Sequence, residues 1–285
     1  MIRSFTALAS TLNLSHAVRE LGSTRQTVRR HIANLEEAKG TALFTVEDRQ
    51  YRLTEAGEQA LPEAQDILAR ANIWLRGLSS HVGGLQTLKH TELDDWSFYQ
   101  QQHSLSTIWT SESPLMRETF RAWAMSGGDI ESEELAHVRP FLVVYRQSAV
   151  GWLCVEFGEK SFYVNWFGLA KARSSIGKPI GSMPGGEDFA RMLNQPFHEV
   201  MVTQGARVDH VHTQVPRADT GDLEPVNYQR LLLGGRFPDG SPALFTIVEP
   251  TEEVDIHGLE QTVAVPLREE VKVKFDPSTA KYERS

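Results

Sequence analysis

Residues 14 to 36 hold two short helical runs broken at Gly22. The second run carries Arg25, Arg29 and Arg30 within six positions. The first run opens at Ser15, a favoured helix N-cap, and closes at Gly22, which supplies a left-handed C-cap. Ser23 or Thr24 caps the second, which extends to about Lys39 and stops at Gly40. Val28, Ile32 and Leu35 recur at i, i+4 and i+7, so they face a core and leave Arg25, Gln26, Arg29 and Arg30 on or beside the opposite face. A turn, two caps and a basic face agreeing at one place deliver a helix into a DNA major groove. An ordinary solvated helix with a charged face is the plainer alternative.

The surrounding chain extends this unit. Ile2, Phe5, Leu8 and Ala9 give a first helix over residues 2 to 12, and Ala17, Val18 and Leu21 are the inward face of the second. Beyond Gly40, Leu43–Val46 and Tyr51–Leu53 are short strands around a polar turn, a wing that brings Arg49 and Arg52 to phosphates. The expected DNA-contacting set is therefore Ser23, Thr24, Arg25, Gln26, Thr27, Arg29, Arg30, Arg49 and Arg52. Thr54 then caps a long helix whose Ala60, Ala64, Ile67, Ala71, Leu75 and Leu78 form a narrow apolar seam. The seam suits contact between two copies of the chain, and Pro62 kinks that helix or marks its start.

Residues 2 to about 78 resemble the N-terminal region of LysR-type transcriptional regulators. The resemblance rests on Phe5, Leu8, Ser15, Ala17, Leu21, Gly22, Val28, Arg30, Ile32, Leu35, Glu36, Gly40, Leu43, Phe44 and the run from Leu53 through Thr54, Glu55 and Ala56 to Gly57. It implies a dimer that reads double-stranded DNA with the helix over 24–36. The family often has Gln-Pro at Arg25-Gln26 and Ser at Arg29, positions that touch bases or phosphates. The operator sequence does not carry over, and Arg25 suits a guanine or a phosphate equally.

Charge separates the two halves. The net charge is −8. Residues 1–53 hold 8 Lys/Arg against 5 Asp/Glu, or +3, so the rest holds 21 against 32, or −11. A basic head on an acidic body orients the molecule on a polyanion. At 285 residues with 40% apolar and 23% charged content, two globular domains are expected. No apolar run reaches the roughly 18 residues of a membrane span. The start shows no signal peptide, and the single Cys154 forms no internal disulfide and suits a reducing cytoplasm.

In the second half, Ser79-Ser80 and Gly83-Gly84 read as a hinge, and residues 93–137 as a mainly helical flanking segment. From Val138 the pattern turns to period two. Strands are expected at Phe141–Arg146, Gly151–Phe157 and Ser161–Val164. A helix follows over Glu187–Val202, ended by Gly205, then strands at Ala206–Val215, Tyr228–Gly234 and Ala243–Val248. The tail beyond about 270 is charged and expected to fray. Residues 138–250 resemble a PAS sensor domain, through Phe162-Tyr163-Val164-Asn165, Ile176-Gly177-Lys178, the 187–202 helix, Gly205 and the hairpin at Phe237-Pro238-Asp239-Gly240. That resemblance implies an antiparallel cup with helices on one face, enclosing a small ligand or pairing with another such domain.

The expected fold is thus α+β: a winged helix-turn-helix over 1–53, a linker and dimerisation helix over 54–80, a helical segment over 93–137, a PAS-like sheet over 138–250 and a tail over 251–285. Tyr145, Trp152, Phe162, Asn165, Phe197 and His198 are the candidate ligand contacts. His198 lies where some PAS-like proteins place a haem ligand, and His210 with His212 has metal-compatible spacing on a strand; hydrogen-bonded histidines are the plainer reading of both. No cofactor or metal is assigned, and no nucleophile elbow or catalytic spacing supports an enzyme. The partners expected are DNA, a second copy of the chain and, left open, a small-molecule effector, with no membrane. Rival readings are a ligand-free oligomerisation domain, a haem- or metal-dependent sensor, or an enzyme controlling its own gene.

Overall fold

The computed structural model describes residues 1–47, 50–75, 77, 79–91, 96–148, 151–259 and 264–279. It divides into two compact units, Met1–Leu75 and Arg76–Ser285. Among the described residues no helix is long and apolar enough to cross a membrane.

The first unit contains α1 (Ile2–Thr11), α2 (Leu14–Leu21), α3 (Arg25–Lys39), β1 (Phe44–Glu47), β2 (Gln50–Leu53) and α4 (Glu55–Leu75). The cap of α2 is Asn13, not Ser15. Asn13 is extended, and its Oδ1 accepts from the amides of Ser15 at 2.9 Å and His16 at 3.2 Å, so two end donors are satisfied by one oxygen. Thr24 caps α3 by accepting from the Thr27 amide at 3.1 Å. Phe5, Leu8, Ala17, Val28, Ile32, Leu43 and Phe44 are buried together, joined by Ala60, Leu61 and Ala64 of α4. The seam on α4 therefore divides. Its first half fills this unit's own core, while Ile67 and Leu75 are exposed beside Trp74, and Leu78 lies outside the described residues. Pro62 sits inside α4 rather than at its start.

The second unit is built on one eight-stranded antiparallel sheet. Its strands are β3 (Ser79–Val82), β4 (Leu85–Thr91), β5 (Ser97–His103), β6 (Val143–Ser148), β7 (Gly151–Phe157), β8 (Ala206–Pro216), β9 (Leu223–Arg236) and β10 (Pro242–Thr251). They lie in the order β3-β4-β5-β8-β9-β10-β6-β7. The helices are α5 (Thr107–Thr110), α6 (Pro114–Ser126), α7 (Phe162–Phe167), α8 (Leu169–Ser175) and α9 (Gly186–Thr203). Both faces of the sheet are buried, so β9 has no polar-out pattern along its middle. Leu231 and Leu233 pack with Ile108, Leu115 and Met116 on the α5–α6 side, and Leu232 packs with Phe197 and Val200 of α9 on the other.

Four expectations fail here. The hinge at 79–92 is the β3–β4 hairpin, with Gly83 and Gly84 at φ 59° and 82° forming the two-residue turn such strands require. The flanking segment over 93–137 is not all helical, because Ser97–His103 is a strand paired with β8, so the sheet begins well before residue 138. Its glutamines favour helix intrinsically, but Gln100 and Gln101 are buried in the sheet, and tertiary pairing decides. Ser161–Val164 is not a strand; Ser161 caps α7. The tail does not fray where it is described, since Val271 is buried and Phe275 packs edge-on against Phe141 at 5.4 Å. In addition, α9 ends on Gln204 at φ 50°, one residue before Gly205.

Candidate nucleic-acid interface and internal cavity

The turn between α2 and α3 is pinned by backbone bonds from Gly22 N–H to the Arg19 carbonyl at 3.2 Å and from Ser23 N–H to the Val18 carbonyl at 3.1 Å, with Gly22 at φ 56°. This fixes the N-terminus of α3 as a projecting end. Arg25, Gln26, Arg29 and Arg30 are exposed there, as is Thr24, while Ser23 and Thr27 are half-buried. Val28 and Ile32 hold the opposite side in the core. The first turn of α3 carries no acidic residue, and neither Arg29 nor Arg30 is paired with a carboxylate among the described residues. Unpaired guanidinium groups at the positive end of a helix suit a phosphate backbone. Arg25 Nη2 donates to Ser15 Oγ at 2.8 Å, which holds its side chain across to α2.

The wing is shorter than the helix but registered. Phe44 pairs with Leu53, Thr45 with Arg52, Val46 with Tyr51 and Glu47 with Gln50. Arg52 is exposed and lies 3.5 Å from Glu47 across the hairpin. Arg49 lies outside the described residues. A residue whose role the sequence did not declare is Glu36. Its Oε1 accepts from the amides of Leu43 at 2.7 Å and Phe44 at 3.1 Å, tying the root of the wing to α3. An acid on the inward-turning side of a basic helix, seven residues before an apolar strand, was the available signal.

The second unit encloses a cavity of about 110 Å³ between the sheet and helices α7 and α9. Three of the six candidate ligand contacts, Tyr145, Phe162 and Phe197, line it. The other three candidates do not. Trp152 packs edge-on behind Phe197 at 5.5 Å, Asn165 donates to the Lys272 carbonyl at 3.0 Å, and His198 is buried on α9 outside the lining. Burial raises the hydroxyl pKa of Tyr145 well above its ordinary value and that of Tyr228 to about 12, so both stay neutral.

One charged residue in the lining was not anticipated. Arg230 is 2% exposed and stands on β9 between Tyr228 and Leu232. Its Nη2 donates to Asp209 Oδ2 at 2.7 Å and to Gln100 Oε1 at 2.7 Å. The other oxygen of Asp209 accepts from Arg207 Nε at 2.8 Å, and Arg207 also meets Gln86 at 2.9 Å and Glu199 of α9. An arginine at an inward position of a β-strand pattern was the signal. His210 and His212 do not form a metal pair: the Nδ1 of each is engaged, by the Asp255 amide at 3.0 Å and by Asn227 Oδ1 at 2.7 Å.

Residues 1–58 match the family model of the bacterial regulatory helix-turn-helix proteins of the lysR family. The chain is 33% identical over 96 residues to the HTH-type transcriptional regulator BudR of Klebsiella aerogenes, covering 33% of this chain and 67% of BudR. It is 27% identical over 121 residues to the HTH-type transcriptional regulator HdfR of Yersinia enterocolitica, covering 42% of this chain and 39% of HdfR. It thus spans between about two fifths and two thirds of the length of these curated relatives. Among solved structures, Corynebacterium glutamicum OxyR in its oxidized form aligns with a TM-score of 0.26 and 26% identity over 27% of this chain and 25% of OxyR. The CbnR DNA-binding domain in its complex with DNA aligns with a TM-score of 0.25 and 28% identity, over 27% of this chain and 91% of that one.

Proposed function

The chain belongs, through its N-terminal residues 1–58, to the lysR family of bacterial helix-turn-helix regulatory proteins, and from that premise we propose that it is a transcription regulator that binds operator DNA with α3. The observation that carries this reading is the exposure of Arg25, Gln26, Arg29 and Arg30 at the N-terminal end of a helix whose other side is locked in the core. Direct base readout falls to Arg25 and Gln26, backbone contact to Arg29, Arg30 and the wing residue Arg52. The reading is of a regulator rather than an enzyme, as the names of the curated relatives are those of transcription regulators.

The chain acts as a homodimer in this reading, with the exposed far half of α4 as its contact. The second unit is a PAS-like sensor whose occupancy controls operator binding in the cytoplasm. Support for a sensor over a ligand-free assembly module comes from the cavity beneath α7 and α9, lined largely by aromatic and aliphatic side chains.

The test is a gel-shift titration on a fragment recovered by genome-wide footprinting. Replacing Arg29 and Arg30 together with Ala is expected to weaken binding by roughly two orders of magnitude and to lower the salt slope by about 2. Unchanged affinity and slope would remove α3 from the groove.

A further inference from the structure

We propose that the cavity of the second unit takes a compact apolar monocarboxylate, an aryl or short alkyl acid, held by its carboxylate on Arg230. The inference rests on the sensory reading of this unit and names its ligand class.

The guanidinium of Arg230 is almost wholly buried, yet its Nε and Nη1 have no hydrogen-bond acceptor among the described residues. A buried donor without an acceptor destabilises the fold, the more so when it is charged, so native folds do not retain one idly. The carboxylates around it are unevenly placed. Two buried guanidinium groups, Arg207 and Arg230, share the single fully buried carboxylate of Asp209. Arg207 has a second carboxylate in Glu199. Among the described residues, Arg230 has the neutral Gln100 besides its share of Asp209 as hydrogen-bond partner. The cluster is formally neutral, two guanidinium groups against Asp209 and Glu199, but Glu199 is 43% exposed and meets Arg207 alone, so Nε and Nη1 of Arg230 still lack a charged acceptor among the described residues.

The rest of the cavity specifies what carries that charge. Phe162, Phe189, Phe197, Met183, Leu193 and Val248 contribute apolar surface to it. Among the described residues, Arg230 is the one cation in the lining and the other titratable groups there are tyrosines, so a second anionic group would be buried without a partner. A sugar phosphate or dicarboxylate is therefore disfavoured. A ring or short chain ending in one carboxylate satisfies both surfaces. The Arg230 guanidinium carbon also stands 5.8 Å from the centroid of Phe197, so the cation borders the aromatic wall that such a ring would meet.

The experiment is calorimetric titration of the full chain at pH 7 with benzoate and phenylacetate, with benzamide and phenylacetamide as neutral isosteres, and with inorganic phosphate. The acids are expected to bind at least about tenfold more tightly than their amides, and phosphate not to compete. Arg230→Met, its fold checked by near-ultraviolet circular dichroism, should erase that preference. Val248→Phe, which fills the cavity and leaves Arg230 in place, should weaken acid binding by about tenfold or more, and it serves as the test if Arg230→Met does not fold. Amides binding as tightly as acids, or phosphate displacing the acids, would overturn the carboxylate assignment and leave the sensory reading standing. Acid binding untouched by Val248→Phe would place the acid elsewhere and overturn it as well. If no probe binds, the carboxylate assignment falls and the sensory reading loses its support with it, while operator binding by α3, measured separately, is unaffected.

Discussion

His103 and His210 stack on neighbouring strands with ring centroids 4.0 Å apart. The loop after β10 closes over both: the Asp255 carbonyl lies 2.8 Å from His103 Nε2, and the Asp255 amide donates to His210 Nδ1 at 3.0 Å. Accepting that amide requires a neutral His210. Burial, then the neighbouring His103, lower its pKa to about 4, against weaker opposing effects of Asp255 and Asp209. As pH falls below about 6.5 the unfolded chain takes up this proton before the folded one does. The contribution is thus fully present above pH 6.5 and is lost as pH drops toward 4. The expected loss is up to about 2 kcal/mol at pH 5, seen as a lower urea midpoint by Trp fluorescence than at pH 7. His210→Gln keeps an acceptor for the Asp255 amide and should flatten that pH dependence; an unchanged slope would assign the titration to another group. At the same scale, Arg207 and Asp209 show a buried charge kept by its partners, which no reading of β8 alone reveals.

Elements stand or fall by their ends and their neighbours. The helix-turn-helix was legible because its signals are local: a cap at Thr24, a left-handed stop at Gly22 and a core stripe through Val28 and Ile32 all lie within one stretch of chain. The wing depends on contacts just beyond that range. Glu36 receives two wing amides, and a Cβ on Gly57 would sit 2.2 Å from the Leu43 carbonyl oxygen, so α4 can start where it does only over a glycine. Glu36→Ala is expected to cost about 2 kcal/mol, because two amides lose a charged acceptor. Thermal unfolding of the full chain measures this, and a change within a few tenths of a kcal/mol would mean that water replaces the carboxylate. The strand β5 and the helix α7 were illegible for the complementary reason. Gln100 is buried because Arg230 lies 130 positions along the chain, and Phe162 leaves its strand-like pattern for a helix from which it lines the cavity and packs on Trp166.

For the whole molecule, the charge division of +3 against −11 falls at residue 53, inside the first unit: residues 54–75 add Glu55, Glu58, Glu63 and Asp66 against Arg70, so the basic charge is confined to the part of that unit that presents α3. Assembly is the property that the chain alone leaves unsatisfied. Trp74 and Leu75 are 71% and 72% exposed at the end of α4, large apolar groups left uncovered by the described residues. In the proposed dimer, Trp74→Asp is expected to shift the protein to monomer in sedimentation velocity at micromolar concentration, and to weaken operator binding in step, since paired half-sites need paired helices. A dimer of undiminished affinity would move the contact off α4.

The sequence by itself determined the helices and wing of the first unit, the basic edge of its third helix, and the strands near 141–157 and 206–248 with the long helix between them, because caps, stops and periodicity act over a few residues. Only the tertiary structure decided that Ser97–His103 joins the sheet, that Asn165 and His198 stand clear of the cavity, and that Arg230 borders it. Those outcomes depend on which side chains meet across strands far apart in the chain. Burial then makes the energy of a charge or an amide depend on the partner found there rather than on its neighbours in sequence.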